Sequence, residues 1–142
     1  MNVKAILDEK GRDVVTVSGD TPLRSVIELL AAKRIGAAVV VDAGRKIGGI
    51  LSERDIVRVL AHRGEDALSS PASATMTKSV TLCRESDTVE QVMAVMTERR
   101  FRHLPVEIDG KLAGIVSIGD VVRKRIESVE REAEEMKSYI AG

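Results

Sequence analysis

Ser52-Glu53-Arg54-Asp55 and Ser117-Ile118-Gly119-Asp120 each set a hydroxyl three residues ahead of a carboxylate. Each follows a Gly-Ile-Leu/Val run that reads as a strand, so each marks a strand-to-helix junction. Two kinds of chemistry suit that position. The hydroxyl can accept a backbone N–H of the first helical turn while the acid faces the helix dipole, which is capping. The acid can also accept both hydroxyls of a ribose, with the free N–H groups of the helix start favouring a nearby phosphate. The two uses are compatible, and the motif alone does not choose between them.

A second cluster, Arg99-Arg100-Phe101-Arg102-His103-Leu104-Pro105, lies where a helix hands over to a buried strand. Arginine suits phosphate through charge-assisted, often bidentate hydrogen bonds, and a flat ring or apolar wall suits a base. A solvated basic helix end, favoured by the dipole, is the plainer account. The matching Lys33-Arg34-Ile35-Gly36-Ala37-Ala38-Val39 is barer, with Gly36 and Ala37 in place of Arg102 and His103. The two sites should therefore differ in affinity or in ligand.

Catalysis finds little support. His62 and His103 with Cys83 make no zinc set at ligand spacing. Cys83 has no evident activating base. Gly44-Arg45-Lys46-Ile47-Gly48-Gly49 is a hairpin turn and lacks the Gly-Lys-Ser/Thr ending of a phosphate loop. No carboxylate pair stands out, and a His103–Asp120 general base is a remote option.

The elements that position these residues come twice. Gly49-Ile50-Leu51-Ser52-Glu53-Arg54-Asp55 returns as Gly114-Ile115-Val116-Ser117-Ile118-Gly119-Asp120, and Val14–Val17 is echoed by Ser79–Leu82. A duplicated unit of about 60 residues is within the range of internal repeats. In the first copy a strand is expected at Val14–Val17, then a helix opened by Asp20-Thr21-Pro22 and ended by Gly36. A doubly buried strand Ala37–Val41, a turn at Asp42–Arg45, a strand Ile47–Leu51 and a helix from Ser52 to about His62 follow. The second copy repeats the order: strand Val80–Leu82, helix Thr88–Arg99, strand Leu104–Ile108, turn Asp109-Gly110, strand Leu112–Val116, helix from Ser117. Arg63–Asp66 with Ser69-Ser70-Pro71 reads as the linker. The fold class is α+β: two pseudo-symmetric β-α-β-β-α repeats packed together, 1–66 and 67–124, plus a charged amphipathic C-terminal helix, 125–142.

In that last helix Val122, Ile126, Val129, Ala133, Met136 and Ile140 fall at alternating spacings of four and three. This is a heptad seam of under three heptads, which could lie on its own domain or meet a second copy. Any dimer should rest mainly on the repeats.

Basic and acidic residues balance at 22 each, which argues against nucleic acid as the main partner. Phe101 and Tyr139 are the only aromatics, too few for a single-strand stacking platform. A lone cysteine fits a reducing compartment. No apolar run has the length of a signal peptide or a membrane span, so a cytoplasmic location and no membrane partner are expected.

The duplicated unit, the Phe101-Arg102-His103-Leu104-Pro105-Val106 run and the Gly114–Asp120 ending closely resemble a tandem pair of CBS domains, the Bateman module, over about Val3 to Arg125. The resemblance implies two clefts for adenosine-containing ligands: AMP, ADP or ATP, and in some members NAD(H) or S-adenosylmethionine. It places Asp55 and Asp120 on ribose hydroxyls, with Ser52 and Ser117 beside them and Gly119 in the same turn. Thr16, Thr21 and Thr81 would lie near base or sugar. Ile35, Gly36 and Ala37, and Phe101 through Leu104 and Pro105, would wall the base, while Arg54, Arg100, Arg102 and His103 would meet phosphate. Repeat one has Val39 where the family often has Pro. A homodimer is implied, as is a regulated partner protein that the sequence does not identify.

The reading is a non-enzymatic regulatory module without metal or catalytic cofactor, which senses an adenine nucleotide by changing conformation. The alternatives are a binder of NAD(H) or S-adenosylmethionine, and a structural dimerisation piece with unused clefts.

Overall fold

The structure, a computed structural model, describes residues 1–141; Gly142, the last residue of the expected tail, lies outside them. Along the chain run α1 (Val3–Lys10), β1 (Thr16–Val17), α2 (Leu23–Lys33), β2 (Ala37–Val41), β3 (Ile47–Ser52), α3 (Glu53–Arg63), α4 (Ala72–Thr75), α5 (Val89–Arg99), β4 (His103–Ile108), β5 (Lys111–Ser117) and α6 (Ile118–Ala141). The class is α+β. The packed bodies, however, are not continuous stretches of chain. One comprises Asp13–Thr81 with Ile108–Ala113; the other comprises Met1–Arg12, Leu82–Glu107 and the chain from Gly114 onward.

The first body is built on a three-stranded sheet of order β1-β2-β3, with β1 parallel and β3 antiparallel to β2. Ala37, Ala38, Val39 and Val40 are all buried, as an apolar run without alternation requires. Leu23, Val26 and Leu30 of α2 and Ile56 of α3 pack on Ala38, Val40 and Leu51. Burying each such aliphatic side chain contributes about 1.5–3 kcal/mol. The expected linker holds a 3-10 turn, Gly64–Ser69, and is followed by the short α4, whose Ala72 is fully buried.

Two local expectations for α2 need correction. Asp20 does not cap it: Ser18 Oγ donates to the Asp20 carboxylate, and Pro22 takes the cap position without a side-chain bond. Nor does Gly36 end it. Arg34 adopts the left-handed conformation, φ 55°, and closes the helix three residues after Ala31. The closing bonds to Ala31 and Leu30 carbonyls hold Arg34 in a backbone region that usually favours glycine.

The second body has a core of Leu7, Val92, Met96, Leu104, Val106, Val116 and Val121, among others. The hairpin β4-β5 turns through Asp109 and Gly110, both at positive φ, as a two-residue turn demands. Thr88 and Gln91 form a reciprocal capping box at the start of α5. The strand expected at Val80–Leu82 is absent. Only Cys83, one residue later, makes a parallel bridge, to Val106. In its place α1 fills the core with Val3, Ile6 and Leu7, a helix the sequence patterning did not signal. With eight residues and one apolar face interrupted by charge, α1 is too short to stand out by periodicity.

Candidate functional site

In the first body, β3 delivers Ser52 to the start of α3. Ser52 Oγ accepts from Asp55 N at 3.3 Å, and Asp55 Oδ2 accepts from Ser52 N at 2.9 Å and Ser52 Oγ at 3.0 Å. This is a complete capping box. The other carboxylate oxygen, Oδ1, accepts from Thr77 Oγ1 at 3.3 Å. Thr77 was not among the expected site residues. It is carried there by a two-way backbone bridge with Ile50, 2.9 and 3.0 Å.

The same helix start reaches the wall residues. Glu53 N donates to Gly36 O at 2.9 Å, and Ala37 pairs with Ser52 across the sheet, so Ile35, Gly36 and Ala37 stand beside Ser52–Asp55. Arg54 is exposed in the first turn of α3. Thr16 sits further along the sheet, opposite Val39. Thr21 is engaged elsewhere, through its hydroxyl to Ser18 at 3.1 Å and its carbonyl to Ala72 N at 2.7 Å. Thr81, read from the second repeat, belongs to this first body and is half-buried.

The second body repeats the geometry. Ser117 N donates to Asp120 Oδ2 at 2.8 Å, and Asp120 N donates to Ser117 Oγ at 3.2 Å. Ile118 N donates to Arg102 O at 2.8 Å, the counterpart of the Glu53–Gly36 bond. That bond sets Arg102 and His103 beside the start of α6. Gly119 lies in its first turn, where a Cβ would come no closer than 3.7 Å to Ser117 Oγ. Arg100, at φ 58°, closes α5 and is exposed, as is Arg102; Phe101 and His103 are half-buried. Leu104 is a core residue, 1% exposed, and Pro105 is buried with its carbonyl accepting from Cys83 N.

The electrostatics of the two acids differ. Asp120 is 8% exposed, and its carboxylate accepts from Lys10 Nζ at 2.7 Å and Arg123 Nη2 at 2.9 Å. Lys10 also donates to Ile115 O at 3.0 Å. Burial pushes the Asp120 carboxyl upward, but the bonds from Lys10 and Ser117 together outweigh it and hold the acid below the usual carboxylate range. Lys10, Arg123 and Lys124 line a cavity of about 160 Å³ with Ile6, Glu9, Asp120 and Glu127. Lys124 in turn pairs with Glu9 and, at 3.1 Å, with Glu127. That volume holds a sugar or a phosphate and is below the range typical of pockets for whole small molecules. Among the described residues no group of three or more His, Cys, Asp or Glu side chains could hold a metal, and no helix is long and apolar enough to cross a membrane.

Lys10 and Thr77 are the partners that sequence reasoning missed, and the repeat contains the signal. Each lies in the segment leading into one repeat, yet each meets the acid of the other copy. The same exchange explains the repeated glycines. A Cβ on Gly49 would meet Met76 Sδ at 2.6 Å and Thr77 O at 2.8 Å, and one on Gly114 would meet the Leu7 methyls at 2.9 Å. Glycine stands at both positions because a lead-in segment presses against the strand there.

Comparison with known proteins agrees with this fold. The CBS domain family model matches residues 3–62 and 72–127. The crystal structure of a CBS-domain containing protein from Agrobacterium tumefaciens is 49% identical, with a TM-score of 0.85 over 88% of this chain and 99% of that one. A CBS domain protein from Pyrobaculum aerophilum, solved in complex with AMP, is 27% identical, TM-score 0.74, over 84% and 89% of the two chains. A CBS domain pair solved with 5-methylthioadenosine and S-adenosyl-L-methionine is 25% identical, TM-score 0.77, over 87% and 98%. A mitochondrial CBS domain-containing protein of Arabidopsis thaliana is 34% identical over 128 residues, 87% of this chain and 62% of the relative's length.

Proposed function

The chain belongs to the CBS domain family, and from that premise we propose that it is a regulatory module whose ligand is an adenine nucleotide, AMP, ADP or ATP. The observation that carries the reading is the duplicated helix start. At Ser52–Asp55 and at Ser117–Asp120 a carboxylate is fixed by the backbone N–H of its own serine. Held this way, the acid is oriented in advance for ribose hydroxyls. The AMP complex of the Pyrobaculum relative supports the ligand class.

Arg54, Arg100 and Arg102 are exposed, and they would meet phosphate. In the second repeat the ribose has to compete with Lys10 for Asp120 Oδ2. An ammonium released there, and the α1 that carries it, then become free to settle elsewhere. Ligand binding thus favours one arrangement of α1 over another, and that difference is the signal passed to a partner protein. The module acts as a homodimer without catalysis of its own, and the lone buried Cys83 fits a reducing compartment.

Thermal melting against AMP, ADP, ATP, NAD, NADH, S-adenosylmethionine and GMP tests the reading, since a ligand selective for the folded state raises the melting point. A rise with adenine nucleotides exceeding that with GMP is expected. A larger rise with S-adenosylmethionine or NAD(H) would reassign the ligand, an alternative favoured by the S-adenosylmethionine complex of a relative. A flat panel would leave a structural dimerisation module.

A further inference from the structure

The C-terminal helix carries an apolar seam that nothing covers among the described residues. Val121, in its first turns, is buried, but Val122, Ile126, Val129, Met136 and Ile140 are 40–78% exposed. From Val129 to Ala141 every residue is exposed. A helical segment of that length is marginal in water without a face to pack on. Its apolar residues nonetheless keep the three-and-four spacing to the end, which is the pattern of a helix with a partner.

We propose that this seam is the contact surface for a second copy of the chain, joined to it as a parallel, in-register two-stranded coiled coil. The flanking charges select this arrangement. With Ile126, Ala133 and Ile140 at the a positions and Val122, Val129 and Met136 at d, the e positions are Arg123, Glu130 and Lys137, and the g positions are Arg125, Glu132 and Tyr139. In a parallel pair each g residue faces the e residue five positions on in the other helix. Arg125 then faces Glu130 of the partner subunit, and Glu132 faces Lys137 of the partner subunit. Both pairs are attractive, and two-fold symmetry makes each twice.

The other orientation fails on the same count. A fully overlapped antiparallel pair sets e against e and g against g. Arg123 would then face Lys137 of the partner subunit, while Glu130 and Glu132 would each face their own counterparts. An antiparallel pair slipped by one heptad either joins Glu130 to Lys137 of the partner subunit and leaves Val122 and Ile126 uncovered, or joins Arg123 to Glu130 of the partner subunit and leaves Met136 and Ile140 uncovered. Glu130, Glu132 and Lys137 make no other bond among the described residues, so they are available. Arg125 bonds Glu90 at 3.1 Å, and its remaining guanidinium donors can serve Glu130 of the partner subunit. The inference rests on the proposed function only for the existence of a homodimer, and it stands whatever the ligand.

Cross-linking of the full-length chain tests the geometry. In the parallel register the two Ala133 positions face each other, so Ala133→Cys should oxidise rapidly to a covalent dimer, whereas Arg131→Cys, on the opposite face, should not. The native Cys83 is buried and stays out of the reaction. Sedimentation of Glu132→Lys and Lys137→Glu supplies the second arm. Each alone should weaken the dimer about tenfold or more, and their equimolar mixture should restore it as a heterodimer. Because these side chains are exposed, the melting of the repeats should be unchanged. A dimer that persists without Ala133→Cys cross-linking would overturn the coiled coil but spare the homodimer. A chain that stays monomeric across the micromolar range would overturn both.

Discussion

Lys10 Nζ lies 2.7 Å from Asp120 Oδ2, whereas Asp55, the matching acid of the other repeat, meets the hydroxyls of Ser52 and Thr77. Two copies of one motif thus differ in charge environment through a residue outside the motif. The first acid is held by neutral donors and the second by cations.

The Lys10 contact makes stability depend on acid pH. The Asp120 carboxyl is held below its unfolded value, so its contribution is fully present above the unfolded pKa of about 3.9 and is lost as pH falls through the folded value. Lys10→Met should remove about 1 kcal/mol at pH 7, since Lys10 is one-third exposed, and should flatten the acid limb. Urea unfolding from pH 7 to pH 3 measures both.

Ligand binding should separate the two acids. Asp120→Asn and Asp55→Asn should each weaken adenine nucleotide at its own site about tenfold or more, because an amide accepts ribose hydroxyls less strongly than a carboxylate. Lys10→Met should do the reverse for unphosphorylated adenosine, strengthening it by removing the competitor for Asp120. Calorimetric titration with AMP and with adenosine reads both directions.

The glycines should prove unequal when filled. Gly49→Ala drives a Cβ against the Thr77 carbonyl as well as Met76 Sδ, while Gly114→Ala meets only the Leu7 side chain. Overpacking of this kind costs about 1–3 kcal/mol. In a double-mutant cycle Leu7→Ala should relieve most of the Gly114→Ala penalty, and Met76→Ala only part of the Gly49→Ala penalty, because a backbone carbonyl cannot rotate away. Urea midpoints of the singles and doubles decide it.

Cys83 should be inert in the native protein. Burial first, and the charge of Asp87 second, push its thiol up to about 12. Labelling by a disulfide reagent at pH 8 should be slow in buffer and immediate in denaturant. Fast native labelling would mean that the Cys83–Val106 bridge opens readily.

Much of the fold was legible because its signals are local. The doubly apolar Ala37–Val41, the Asp109-Gly110 turn and the Ser52 and Ser117 caps each depend on neighbours within four residues, and each stands where expected. The misses were also local, but overridden. Gly36 was free to end α2, yet the carbonyls of Leu30 and Ala31 had already captured Arg34. The strand expected at Val80–Leu82 had apolar and β-branched residues, but the ladder bridge to Val106 forms at Cys83.

By itself the sequence determined the duplicated unit, its α+β class and the acid-bearing helix starts, because strand burial, turns and caps are written in periodicity and short spacings. Only the tertiary structure decided what each acid touches. Thr77 reaches Asp55 across 22 residues and Lys10 reaches Asp120 across 110. An exchange of lead-in segments between repeats leaves no short-range pattern, only two glycines small enough to let those segments approach.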